Sequence, residues 1–176
     1  MSNPRFSPRC LAALAASLLP MGSAVAQPQL DFSCEQLGSG PLPSAVQNSV
    51  TAYVRHWAGV LAQAEQDDQV PAARRRIVEG FQKCPDAARY QFSYAAAVVD
   101  FVQPVLEVDD ALKQVNAALA IARTRHMRIR PALDEMVRHP NPAVRYLGWY
   151  GYYRIRTLVL AQGRDGSREA ITALFR

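Results

Sequence analysis

The residues of this 176-residue chain whose types could do bond-making chemistry are few and scattered. His56, His126 and His139 stand far apart, and no His-x-x-x-His or Cys-x-x-Cys pair supplies the ligand set a metal or haem needs. A glycine-rich phosphate loop and a Gly-x-Ser-x-Gly elbow are both absent from the sequence. Asp109-Asp110 and Asp134-Glu135 are adjacent pairs whose members project in different directions, so they read as helix caps and solvated faces. The expectation is a non-enzymatic chain with no cofactor and no metal. Recognition chemistry is what remains. His139 to Arg156, HPNPAVRYLGWYGYYRIR, sets Tyr146, Trp149, Tyr150 and Tyr153 beside Arg145, Arg154 and Arg156. Tyr, Trp and Arg are the side chains that anchor protein interfaces, so Arg145, Tyr146, Trp149, Tyr150, Tyr153 and Arg156 form the candidate partner-binding set. The competing reading is that the same aromatics are core beneath a further helix or loop.

The element that must position this set is a helix opening at the break Pro140-Asn141-Pro142. Proline cannot continue a preceding helix, but in a first turn it lacks only an N–H that would be unpaired anyway. Val144, Leu147, Gly148, Gly151, Ile155 and Leu158 then recur at helical spacing as one buried stripe, with the aromatics opposite. Gly148 and Gly151 fit an adjoining helix that approaches closely. After Gly163 and Gly166, Ala170, Ile171, Leu174 and Phe175 begin a short seventh helix, an open end that invites a partner or self-association.

Upstream, Ser44 is the expected N-cap of a five-turn helix carrying Val46, Val50, Tyr53, Val54, Trp57, Val60, Leu61 and Ala64. Val70, Ala73, Ile77 and Phe81 mark a second, ending near Cys84-Pro85, whose Arg74-Arg75-Arg76 run spans too wide an arc to be one face. Asp86 is expected to cap a third with two apolar stripes, one through Phe92, Ala95, Ala96, Val99 and Val102, the other through Tyr94, Val98, Phe101 and Val105. This is the helix expected to be most buried, and Pro104 ends or kinks it. A fourth follows Asp109-Asp110 with Leu112, Val115, Ala118, Leu119 and Ala122, and a fifth carries Ile129, Ala132, Leu133, Met136 and Val137. No strand alternation competes, and the fold class is all-α.

Residues 1–26 read as a secretory signal peptide: Arg5 and Arg9, an Ala/Leu stretch from Cys10 to Leu19, and Ala24-Val25-Ala26 before an expected cleavage at Gln27. That stretch is too short to span a membrane, which takes about 20 residues. A periplasmic or secreted location follows. There Cys34 and Cys84 form an even pair in an oxidising compartment, which reads as one disulfide fastening the Pro-, Gly- and Ser-rich lead-in 27–43 to the helical domain 44–176. Charge is uneven. Gln27 to Asp110 carries six Lys and Arg against eleven Asp and Glu, a net −5, whereas Ala111 to Arg176 carries twelve against four, a net +8. Arg123, Arg125, Arg128, Arg130 and Arg138 account for much of the second excess. Ordinary helix-terminus chemistry explains such arginines, and the expected export argues against a nucleic-acid partner.

Val115 and Val144, 29 residues apart, each open a helix that follows a shorter one, and on these residues the sequence resembles HEAT-type repeats. The second helix of such a hairpin opens with Val-Arg, with Asp five residues and Pro about thirteen residues before the Val. Val144-Arg145 and Pro131 match, with His139 at the Asp position. Asp110 matches in the earlier unit, with Asn116 and Val102 at the Arg and Pro positions. The likeness covers roughly 86–160, with a third unit begun at Arg168. It implies antiparallel helical hairpins stacked as a short right-handed α-solenoid, with Tyr146, Trp149, Tyr150 and Tyr153 on its concave side. The expected function is a periplasmic or secreted helical-repeat module mediating protein–protein interaction, with no membrane span. The alternative is an envelope protein that meets an anionic polymer or membrane surface through its arginine-rich C-terminal half.

Overall fold

The computed structural model describes residues 27–37 and 40–162. The expected signal peptide 1–26 and the seventh helix from Arg168 lie outside the described residues. Within them all regular structure is helical, with no strand. Six α-helices follow one another: α1 Ser44–Gln63, α2 Gln69–Gln82, α3 Ala88–Val102, α4 Ala111–Arg123, α5 Arg130–Met136 and α6 Pro142–Gln162. Three short 3-10 segments, Cys34–Leu37, Gln103–Glu107 and Met127–Ile129, lie in the connections.

The helices bury the stripes their spacing predicts, with instructive exceptions. Val50, Tyr53, Val54, Trp57, Ala58 and Leu61 of α1 face Val70, Ala73, Ile77 and Phe81 of α2 across the first hairpin. Asp110 caps α4 as expected, its carboxylate accepting from the backbone N–H of Leu112 at 2.9 Å and Lys113 at 3.1 Å. Ser44 does not cap α1. The extended Pro43 holds that position and its carbonyl starts the helix, so Ser44 is already helical. Asp86 does not cap α3 either, because the turn leaving α2 bonds Ala87 N–H to the Cys84 carbonyl and makes Ala87 the boundary. Phe92 and Leu112 are exposed, contrary to the stripes drawn through them. On α3 the inward face is set by Tyr90, Tyr94, Ala97, Val98 and Val102, more than a third of a turn from the Phe92 line, of which only Ala95 and Val102 are buried. Nor is α3 alone at the centre. The alanines 117, 118, 120 and 122 of α4 are fully or almost fully buried and let α2, α3 and α6 pack around it.

Packing follows a simple order. α1 lies against α2 and α3, α2 against α4, α4 against α6, and α5 against α6. The N-terminal end is tied down. Cys34 and Cys84 are disulfide-bonded with Cα atoms 5.5 Å apart, Phe32 packs edge-on against Tyr90, and Leu30 is buried. Tyrosine hydroxyls then rivet α1 and α3 to the backbone of α2. Tyr53 donates to the Arg76 carbonyl at 2.9 Å, Tyr94 to the Ile77 carbonyl at 2.8 Å, and Tyr90 to the Gly80 carbonyl. Gln91 donates to the Phe81 carbonyl at 2.7 Å. Gly80 and Phe81 belong to the last turn of α2, where carbonyls run out of i+4 partners, so Tyr90 joins the Lys83 N–H on the Gly80 carbonyl and Gln91 takes that of Phe81. Burial pushes all three tyrosine hydroxyls above their ordinary range.

Candidate interaction face on the sixth helix

α6 is held in place by a turn whose polar groups are nearly all used. His139 is buried and fills both ring nitrogens: Nε2–H donates to the Leu106 carbonyl at 3.1 Å, while Nδ1 accepts from the Asn141 N–H at 3.1 Å. Asn141 in turn accepts from the Ala143 N–H at 3.0 Å and donates to the Gln114 side chain on α4. It is the N-cap, with Pro142 in the first turn as expected. Arg145 sends one guanidinium nitrogen to the carbonyls of His139 and Pro140, at 3.0 and 2.8 Å. The turn therefore fixes the rotation of α6.

That rotation buries Val144, Gly148, Gly151, Tyr152 and Ile155. Gly148 and Gly151 are points of close approach, as expected. A Cβ on Gly148 would lie 2.9 Å from the backbone nitrogen of Val137, and one on Gly151 would meet the side chain of Leu133. Leu158, expected in this stripe, is exposed. Tyr152 was not in the expected set. It stands four residues after Gly148 and eight after Val144, so the same periodicity places it on the inner face, where its hydroxyl donates to Asp134. Burial first and then that carboxylate push the Tyr152 hydroxyl up to about 12.

On the opposite side, Tyr146, Trp149 and Tyr153 are 70, 55 and 58 % exposed, and Leu160 is exposed in line with them. The structure thus brings together the predicted set Arg145, Tyr146, Trp149, Tyr150, Tyr153 and Arg156 on one helix, and five of the six are exposed. Tyr150 is half-buried and accepts a hydrogen bond from Arg154 at 3.1 Å. Arg156 stacks on the Tyr153 ring, 4.1 Å from its centroid, and Trp149 leans on Tyr152 at 6.1 Å. Such stacking pre-orders long side chains that would otherwise lose rotamer freedom on binding. The Nε–H of Arg154 is buried without a partner.

Of the remaining arginines, Arg74 has Arg75 and Arg123 near it, and burial first, then Arg123 and Arg75, hold its guanidinium below its ordinary pKa. Arg128 stacks on Phe92 of α3 at 5.0 Å, Arg130 lies beside Tyr152, and Arg123 ends α4. Arg76 pairs with Glu79 and lies over Trp57, apart from Arg74 and Arg75. A groove of about 510 Å³ runs between Gln27–Asp31 and the first hairpin, lined by Trp57, Arg76, Glu79 and Lys83, with the charges of its walls balanced. Among the described residues no three of His, Cys, Asp and Glu are placed to hold a metal ion, and no helix is long and apolar enough to cross a membrane.

No family model matches this chain, and neither a curated protein nor a solved structure matches it.

Proposed function

We propose that this protein is a protein-interaction module of the exported, periplasmic or secreted kind, and that the outer face of α6 is its recognition surface. One observation carries the reading: three large aromatics stand in line on α6 at more than half exposure, whereas Tyr53, Trp57, Tyr90 and Tyr94 are buried. Leaving large aromatic surface in water is costly, about 25 cal/mol per Å² of apolar area, and a contiguous patch of it marks a site that is covered in use. The HEAT-like right-handed α-solenoid belongs to the same proposal. It is supported by the packing order α2, α4, α6, in which each second helix of a hairpin lies against the next.

Site-specific photo-crosslinking tests the function. A benzophenone side chain at Tyr146 or Tyr153 should capture a protein partner in living cells of the source, while the same probe at exposed Gln66, in the α1–α2 connection, should not. Equal capture at both places, or none at α6, removes the proposal. Binding through the arginine-rich half to an anionic polymer or membrane would instead show steep loss with salt and indifference to Trp149→Ala.

A further inference from the structure

The exposed side of α6 has a finer geometry than a patch. Tyr146, Trp149, Tyr153, Arg156 and Leu160 follow one another at intervals of 3, 4, 3 and 4 residues. That is the spacing by which one helix presents a straight seam to another, with each side chain seated between those of the facing helix. The seam is about 21 Å long, fourteen residues at 1.5 Å each. It lies on the side of α6 opposite Val144, Gly148, Gly151 and Ile155, where α4 and α5 pack. Because α2, α4 and α6 already lie against one another in sequence, a helix on this seam continues the stack by one place.

Charge selects what kind of helix. α6 carries Arg145, Arg154 and Arg156 and no Asp or Glu along its whole length. Among the described residues, none of the three forms an ion pair with a carboxylate. Arg156 and Arg154 are instead stacked on tyrosines, and the buried Nε–H of Arg154 is still without an acceptor. A second copy of α6 would bring arginine toward arginine in either orientation with no acid to offset them, which disfavours pairing of this face with itself. A lipid surface wants a broad apolar side for insertion, whereas this seam is one residue wide and made of two phenols, an indole and a guanidinium with a single leucine at its end.

Resting on the recognition face proposed above, we infer that the partner presents an acidic amphipathic helix of about four turns, packed along the α6 seam. Its apolar residues lie at 3–4 spacing, and its Asp or Glu residues flank them to meet Arg145, Arg154 and Arg156.

A fully randomised 18-residue peptide library, displayed on phage and selected on the purified full chain, tests this. Peptides that compete with the photo-probe at Tyr153 are then made synthetically, and their affinities are measured by fluorescence anisotropy. The inference expects enriched peptides that are net acidic, apolar at 3–4 spacing and helical by circular dichroism when bound. Their affinity should fall at least tenfold with Trp149→Ala and with Arg156→Glu, and Arg156→Glu should be rescued when the peptide's acids are changed to Lys. Circular dichroism of each variant confirms its fold, and Tyr146→Ser replaces any that fails. Extended, proline-containing or basic peptides that still depend on Trp149 would overturn the acidic helix but leave the recognition face standing. No enrichment, or peptides indifferent to Trp149→Ala and Tyr146→Ser, would overturn both. Two further arms also count against the inference. One is a fluorescence shift of Trp149, in a Trp57→Phe background, on vesicles with a quarter phosphatidylglycerol. The other is a dimer by sedimentation equilibrium that Trp149→Ala dissolves.

Discussion

Tyr94 and Tyr153 are the same residue on helices of similar make, and their surroundings differ in every respect. Tyr94 is fully buried in α3 and bonds the backbone of α2, while Tyr153 stands in water with an arginine laid on its ring. The difference does not come from the local sequence, since both sit in aromatic-rich helices with small residues nearby. It comes from neighbours. α3 has α1 on one side and α2 within reach of its tyrosine hydroxyls, whereas α6 has α4 and α5 behind it and nothing described in front. A helical aromatic becomes core or surface according to whether another element arrives to cover it.

The sharpest way to break that comparison is to remove each ring in turn. Tyr94→Ala should cost toward the upper end of roughly 3–5 kcal/mol, because the cavity is compounded by loss of the bond to the Ile77 carbonyl. Tyr153→Ala should stay within about 0.5 kcal/mol. Chemical denaturation of both variants decides it, and a large loss at Tyr153 would mean that α6 is covered in the free protein. Next is the covalent tie of the first region. Replacing Cys34 and Cys84 by Ala should lower stability by about 4 kcal/mol on the chain-entropy account of a loop of this length. The same measurement, with intact-mass alkylation of the wild type to show no free thiol at these positions, checks it.

Glycines sharpen the comparison further. Gly148→Ala should destabilise by about 1–3 kcal/mol despite better helix propensity, since the new Cβ meets the Val137 backbone, which cannot move aside. Gly59→Ala in α1 meets nothing within 4 Å and should stabilise by about 0.5–1 kcal/mol. Thermal melts of the two variants should therefore shift in opposite directions.

The smallest effect expected is on pH. Burial, and then Arg128, hold His126 below its ordinary pKa of 6.5, so the folded state keeps the ring neutral while the unfolded chain takes up a proton. Stability is highest above that value and falls as pH drops through it. On the alkaline side Tyr53, Tyr90, Tyr94 and Tyr152 are raised above 10.0, so stability falls as pH climbs past the ordinary tyrosine range, and falls further because four hydroxyls contribute. His126→Asn keeps an acceptor for the Arg128 N–H and should flatten only the acid limb.

The sequence made the helices legible, and the outward face of α6, because a 3.6-residue period shows directly which residues share a side. The Asp110 cap and the Pro142 start were equally visible, each resting on a local rule, and the cysteine pairing followed from an even count and the expected compartment. Contacts set by other elements were not. Phe92, Leu112 and Leu158 are apolar at plausible positions and still exposed, since periodicity cannot say where a neighbouring helix stops. The tyrosine bonds to α2 carbonyls depend on α1 and α3 converging there, and no spacing within either helix announces it. Tyr152 was within reach of the period. His139 stands where the HEAT pattern has Asp, and here it bonds the Leu106 carbonyl and the Asn141 N–H.

The Cys34–Cys84 bridge encloses all of α1 and α2, so the first hairpin is a covalently closed ring from which the rest of the chain hangs as a tail. A protease that cuts in the exposed connection Glu65–Asp68 opens the ring without releasing a piece. The nicked protein keeps its full mass on a gel until a reductant is added, and only then does the segment from the N-terminus to the cut separate. A single backbone break there is silent to any assay that counts molecules, and visible to one that first breaks sulfur from sulfur.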